Sequence, residues 1–228
     1  TGGYALYNNS TGNYNTANGS SALHDNTYGS FNTASGYWAL STTNGSSTTS
    51  TGANSLYNNS IGIYNTASGY NALNGNTTGN YNTATGMEAL YNNPSGIGNT
   101  ANGFQANYLF NGNSGNQNTA IGSYSLADAL TSSYNTALGS GAGSGTIFYM
   151  GWNNTLIGAQ TKANAAGIFN SIALGESALT SASNQARIGN SSTTSIGGYA
   201  GWTNISDGRV KKNVSDNAGL SAVYCTGI

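Results

Sequence analysis

Charge is the scarcest property of this chain. Five Lys or Arg and six Asp or Glu make up 5% of 228 residues, against ~25% in an ordinary globular domain. A net charge of −1, with so few cations, cannot neutralise a phosphate backbone, so no nucleic acid is expected as a partner. The single cysteine, Cys225, can form no internal disulfide. One proline (Pro94) and one histidine (His24) leave little for a collagen-like helix or a His-based metal site. No apolar run approaches the ~20 residues of a transmembrane helix, so no membrane insertion is expected.

What the chain has instead is small and polar. Gly (34), Asn (36), Ser (30) and Thr (27) supply 127 of the 228 residues. Disorder driven by net charge does not fit so neutral a chain, and 16 Tyr, 5 Phe and 3 Trp argue against it as well.

Order appears as a repeat. The motif Asn-Thr-Ala-x-Gly begins at Asn15, Asn32, Asn65, Asn82, Asn99, Asn118 and Asn135, at intervals of 17, 33, 17, 17, 19 and 17. The long interval hides a degenerate copy at Thr48-Thr49-Ser50-Thr51-Gly52, and later copies fade through Asn154, Ser171 and Gln185. A second marker, Ala-Leu, runs in phase seven residues after the Asn and places Leu23, Leu40, Leu73 and Leu90. The idealised unit is N-T-A-x-G-x-x-A-L-x-x-N-x-x-G-x-Y, ending on Tyr14, Phe31, Tyr64, Tyr81 or Tyr134.

A fixed period in this range signals stacked repeats. Units rich in Gly, Asn, Ser and Thr make poor helices, whereas two short strands and two tight turns suit them. The expectation is an all-β solenoid or β-roll with coils of about 17 residues. A dozen such coils at ~4.8 Å make a rod of roughly 60 Å. Small residues around Ala17 and Gly19 imply close approach to another chain segment. The near absence of charge then has a cause, since any charge in the unit would face its own copy one coil away. With one Leu and two Ala per coil the core is thin, so association of several chains through the aromatic and Ala-Leu faces is expected, with the last-position aromatics in core or interface ladders.

The repeats N-T-A-x-G-x-x-A-L resemble the head regions of trimeric autotransporter adhesins. That resemblance implies a β-roll in each of three chains packed about a threefold axis. The segment Ser206-Asp207-Gly208-Arg209-Val210-Lys211-Lys212-Asn213-Val214 resembles the start of the self-cleaving intramolecular chaperone of phage tail spikes and fibres. That family implies Ser206 as nucleophile, Lys211 as its base, and cleavage at Ser206–Asp207 in the full-length precursor. A hydroxyl needs such a base to act as a nucleophile. The 14 residues after Val214 are far fewer than that domain needs. The expected organisation is a regular array over 1–145, degenerate repeats ending the rod over 146–200, and a boundary segment with a truncated chaperone-like start over 201–228.

Other constellations carry less. The six acids, Asp25, Glu88, Asp128, Glu176, Asp207 and Asp216, share no motif, which disfavours calcium in every coil and paired-carboxylate glycoside cleavage. No metal and no cofactor is expected. His24-Asp25 reads as a surface turn. Gly139 to Gly145 lacks the Lys-Ser/Thr ending of a phosphate loop and keeps Ala142 in phase. Trp38, Trp152 and Trp202 fall outside the repeat pattern and are candidates for stacking on sugar rings or for plugging the end of the rod.

These observations point to a non-enzymatic, structural and adhesive segment of an extracellular homotrimeric fibre. It would belong to a phage tail fibre or a bacterial surface adhesin and present surface to cell-surface carbohydrate. The alternatives are an ice-binding or other surface-matching solenoid, and a polysaccharide depolymerase fibre.

Overall fold

The 17-residue unit closes into one coil of a parallel β-solenoid. The computed structural model describes residues 1–108, 115–127, 132–145 and 151–196, and no helix occurs among them. The chain divides into two units, Thr1–Thr193 and Thr194–Ile228. The solenoid is the first; of the second only residues 194–196 are described.

Each coil contributes one three-residue strand. These are β1 (Thr16–Asn18), β2 (Thr33–Ser35), β3 (Thr49–Thr51), β4 (Thr66–Ser68), β5 (Thr83–Thr85), β6 (Thr100–Asn102), β7 (Thr119–Ile121), β8 (Thr136–Leu138), β9 (Thr155–Ile157), β11 (Ile172–Leu174) and β13 (Ala186–Ile188). They stack in chain order into one eleven-stranded sheet. Ten steps at ~4.8 Å give a stack of about 50 Å. Pairing is parallel and places like on like, as in Thr16 on Thr33 and Ala17 on Ala34. The two 19-residue spacings leave this register intact, with Thr100 on Thr119 and Thr136 on Thr155.

A second strand in every coil was expected, and only the last coils have one: β10 (Lys162–Ala163) pairs with β12 (Leu179–Thr180). Elsewhere left-handed residues break the run. The seventh, ninth and seventeenth positions of the coil have positive φ, as at Ser21 (56°), Leu23 (52°) and Phe31 (62°). Two such residues on either side of Ala22 reverse the chain twice within three residues. The amide N–H of Leu23 then donates to the Ala39 carbonyl of the next coil, and that of Ser21 to the Gly3 carbonyl of the previous one. Coils are thus bonded together beyond the strands as well as within them.

This geometry explains the choice of aliphatic residue. Among the described residues no Ile or Thr has positive φ, because a branched Cβ clashes there. The inward ninth position therefore takes Leu, at φ 50–55° in seven coils. Gly143 fills the same position at φ 71°, and Gly141 the seventh at 64°. The glycine-rich 139–145 segment thus keeps the left-handed positions of the other coils, with Ala142 buried.

The core is three ladders wide. Ala at the third and eighth positions and Leu at the ninth are buried, with Leu23, Leu40, Leu73 and Leu90 at 0% exposure. Each such Leu contributes about 1.5–3 kcal/mol. In the third coil both alanines become serines, Ser50 and Ser55, whose hydroxyls bond to each other. The expected close approach at Gly19 is between backbones: a Cβ there would lie 2.4 Å from the Gly36 carbonyl oxygen.

Asparagine closes the coil. Asn32, Asn65, Asn82, Asn99, Asn118 and Asn135 are buried, and Asn15, in the first full coil, is half-buried. The Asn82 amide donates to the Gly96 carbonyl at 2.8 Å, joining the two ends of its own coil, and its oxygen accepts the Asn99 backbone N–H at 2.9 Å. Asn99 reaches Gly115 and Asn135 reaches Gly151 in the same way, past the two inserted residues. A second ladder at the twelfth position holds Asn9, Asn26, Asn59, Asn76 and Asn93, each donating to the glycine carbonyl three residues on. Thr43 replaces Asn in this ladder, and the Asn26 side-chain oxygen beneath it is left without a partner. The ladder asparagines thus hold the interior and bond each coil to the next.

Candidate functional site: the outer faces of the solenoid

Three rows of side chains cover the outside. The first is the last-position aromatic column, which is exposed and not part of the core. Tyr14 stacks on Phe31 at 4.9 Å and Tyr64 on Tyr81 at 5.1 Å, with Ser47 interrupting the column between them.

The second row runs over the seventh and tenth positions. Tyr7 stacks on His24 at 5.2 Å, His24 faces Trp38 at 6.2 Å, and Trp38 meets Tyr57 at 5.5 Å. Trp38 fills the gap left by Ser41, which occupies the ring position of its coil. His24 is therefore part of an aromatic stack, with Nδ1 2.8 Å from Asp25 Oδ1, and more than a surface turn.

Beyond Tyr57 the tenth position reads Asn74 and then Tyr91. The missing ring opens a groove of about 470 Å³. Five aromatic rings line it: Tyr37, Trp38, Tyr57, Tyr70 and Tyr91. The other lining residues are Asn54, Asn58, Asn71 and Asn74. Asn74 donates to the Asn54 carbonyl at 2.9 Å. The side-chain amides of Asn54, Asn58 and Asn71 bond to nothing among the described residues, unlike the ladder asparagines. No carboxylate or cation lines the groove.

The third row is the sheet. Its second and fourth positions point outward and its third inward. The second position is Thr in β1 to β9. The fourth is Asn, Ser or Thr through β6, then changes to Ile121, Leu138, Ile157, Leu174 and Ile188. Four of these five are 40–45% exposed, and Ile172 beside them is 47% exposed. Aligning the repeats by period would have found both this change and the Tyr57–Asn74–Tyr91 column.

Of the tryptophans expected to bind, Trp38 lies in the groove. Trp152 stacks on Phe169 at 5.3 Å, six coils further on, about 30 Å along the stack, and on a different face. The two do not form one site. Trp202, Ser206 and Lys211 lie outside the described residues. The acids among the described residues, Asp25, Glu88 and Glu176, sit in separate coils. Glu88 accepts from the Gln105 amide at 2.6 Å, and Glu176 accepts from Ser177 and Asn190.

No protein-family model, curated protein or solved structure matches this chain.

Proposed function

We infer that this chain is a structural and adhesive segment of an extracellular fibre, carried on a virion or a bacterial surface. In it, copies of the chain associate side by side and present binding surface to cell-surface carbohydrate. The observation that carries the reading is the outward aliphatic ladder Ile121, Leu138, Ile157, Leu174 and Ile188 on a parallel sheet. A contiguous exposed apolar stripe marks an interaction surface. This one is in register, with one aliphatic side chain per coil at ~4.8 Å. A second copy of the same solenoid has the same rise and can match it along its whole length. The number three comes from the resemblance of the repeats to trimeric adhesin heads.

The proposal is of a non-catalytic segment, and release of reducing sugar from a polysaccharide would contradict it. Light scattering on the intact chain tests the assembly. Three chains of 23.1 kDa give a mass near 69 kDa, whereas a mass of 23.1 kDa at micromolar concentration would remove the fibre reading. The ice-binding alternative draws on the outward Thr ladder. Among the described residues Thr fills both outward positions of a strand only at Thr49/Thr51 and Thr83/Thr85, so no continuous double ladder supports it.

A further inference from the structure

We propose that the groove between Tyr57 and Tyr91 is a binding site for a neutral oligosaccharide. The inference rests on the fibre reading for its biological setting but on separate residues for its chemistry.

A pyranose offers two kinds of surface. Its C–H face is apolar and packs on aromatic rings, and its edge carries hydroxyls that both donate and accept hydrogen bonds. The groove supplies a match for each. Trp38 and Tyr57 form one wall and Tyr91 the other, with Tyr37 and Tyr70 exposed beside them. The coils of Tyr57 and Tyr91 are two steps apart, about 10 Å, and the short Asn74 lies between them. That leaves width for one sugar ring between aromatic walls, with room along the solenoid axis for its neighbours.

The asparagines make the second match. In the interior every ladder amide is spent on a coil-closing bond, as Asn65 and Asn76 both are on the Gly79 carbonyl. Asn54, Asn58 and Asn71 keep both amide donors and the carbonyl acceptor unused. Three uncommitted amides beside five rings provide directional bonds to hydroxyls without any charge.

The surroundings select against anionic sugars. Asp25 lies along the aromatic row on one side, and Glu88 follows Asn71 at the seventh position of the next coil on the other. No residue lining the groove carries a charge, so a uronic or sialic acid carboxylate would find no cation there to replace its hydration. The site therefore takes a neutral pyranose chain.

Calorimetric titration of the intact chain with cellotetraose, chitotetraose and tetragalacturonate tests this. At least one neutral tetrasaccharide is expected to bind at micromolar to millimolar concentration, and tetragalacturonate at least tenfold more weakly. Trp38→Ala and Tyr91→Ala should each weaken the neutral ligand tenfold or more, Asn71→Ala by three- to tenfold, and Tyr14→Ala on the other aromatic column not at all. Circular dichroism and solution mass of each variant guard against misfolding. Absence of binding by both neutral probes, or equal binding by Trp38→Ala and Tyr91→Ala, overturns the site. If that happens while the mass stays near three chains, the fibre reading stands; a single-chain mass removes that reading and leaves the groove to be judged by the titration alone.

Discussion

The coils up to Tyr108 and those from Thr119 onward share one backbone and opposite outsides. In the first group Leu23, Leu40, Leu56, Leu73 and Leu90 point inward, and the fourth position of each strand carries Asn, Ser or Thr. In the second group the inward leucine column continues only at Leu126 and then gives way to Gly143 and Lys162, while the fourth position turns to Ile and Leu. Apolar surface has moved from a place the coil covers by itself to a place it cannot cover. A solenoid coil of this size encloses almost nothing larger than one Leu, so further burial has to come from outside. The first half exposes mainly aromatic rings, and the second half an aliphatic ladder on its sheet.

Substitutions at two glycines, one at the tight fifth position of the coil and one on an open turn, should give the largest contrast. A Cβ at Gly69 would lie 2.5 Å from the Gly86 carbonyl oxygen, at φ 136°. Gly69→Ala is expected to cost about 3 kcal/mol or more. At Gly167, φ 72°, nothing lies within 4 Å, and Gly167→Ala should cost about 1 kcal/mol. Denaturant midpoints measure both; equal losses would mean that the coils are not stacked as tightly as described.

Next comes the asparagine ladder. Asn82→Ala leaves the buried Asn99 N–H without its side-chain acceptor and the Gly96 carbonyl with Asn93 as its one remaining side-chain donor, and should cost about 1–3 kcal/mol. Asn102→Ala, on the outward face of β6, should change stability by less than about 0.5 kcal/mol.

The leucines separate the two regions by conformation. Leu73→Ile keeps the side-chain volume but puts a branched Cβ at φ 52°, and is expected to cost about 1–3 kcal/mol. Leu174→Ile, in the extended strand β11, should be neutral within about 0.5 kcal/mol. Similar costs at both sites would refute the left-handed assignment.

The smallest effect should be a gain. Asn107 occupies the inward ninth position between the coils of Leu90 and Leu126, buried, with its amide nitrogen unpartnered. Asn107→Leu restores the column and is expected to stabilise by about 1 kcal/mol. A loss would show that the amide has a role beyond packing.

Much of this was legible in the sequence because stacking forces like onto like. The period gave the coil, the Ala-Leu pairs the core, and the recurring Gly19 position the close backbone approach. The scarcity of charge followed from the same stacking, and Arg187 fits it: the residue sits at an inward register opposite Ala173 but in the last strand, where it is exposed. What the sequence concealed was conformation. Leu, Tyr, Trp and Glu in left-handed backbone break ordinary preference, so strand-like runs were expected where the chain reverses. Of the two expected places for the last-position aromatics, core or interface ladder, the core is closed to them, because a coil filled by one Leu has no space for a ring. The groove escaped notice because it is made by an absence, Asn74 in a column of rings, and its amides look the same in sequence as the buried ones.

The central claim is that the aliphatic ladder of the second region is buried between copies of this chain. Leu138→Cys in a Cys225→Ser background tests it most directly, with Tyr81→Cys as a control on the aromatic column. Under mild oxidation Leu138→Cys should form covalent dimers within the assembly, while Tyr81→Cys remains single chains. If Leu138→Cys also remains single chains, or crosslinks no better than Tyr81→Cys, the ladder is not the contact between copies.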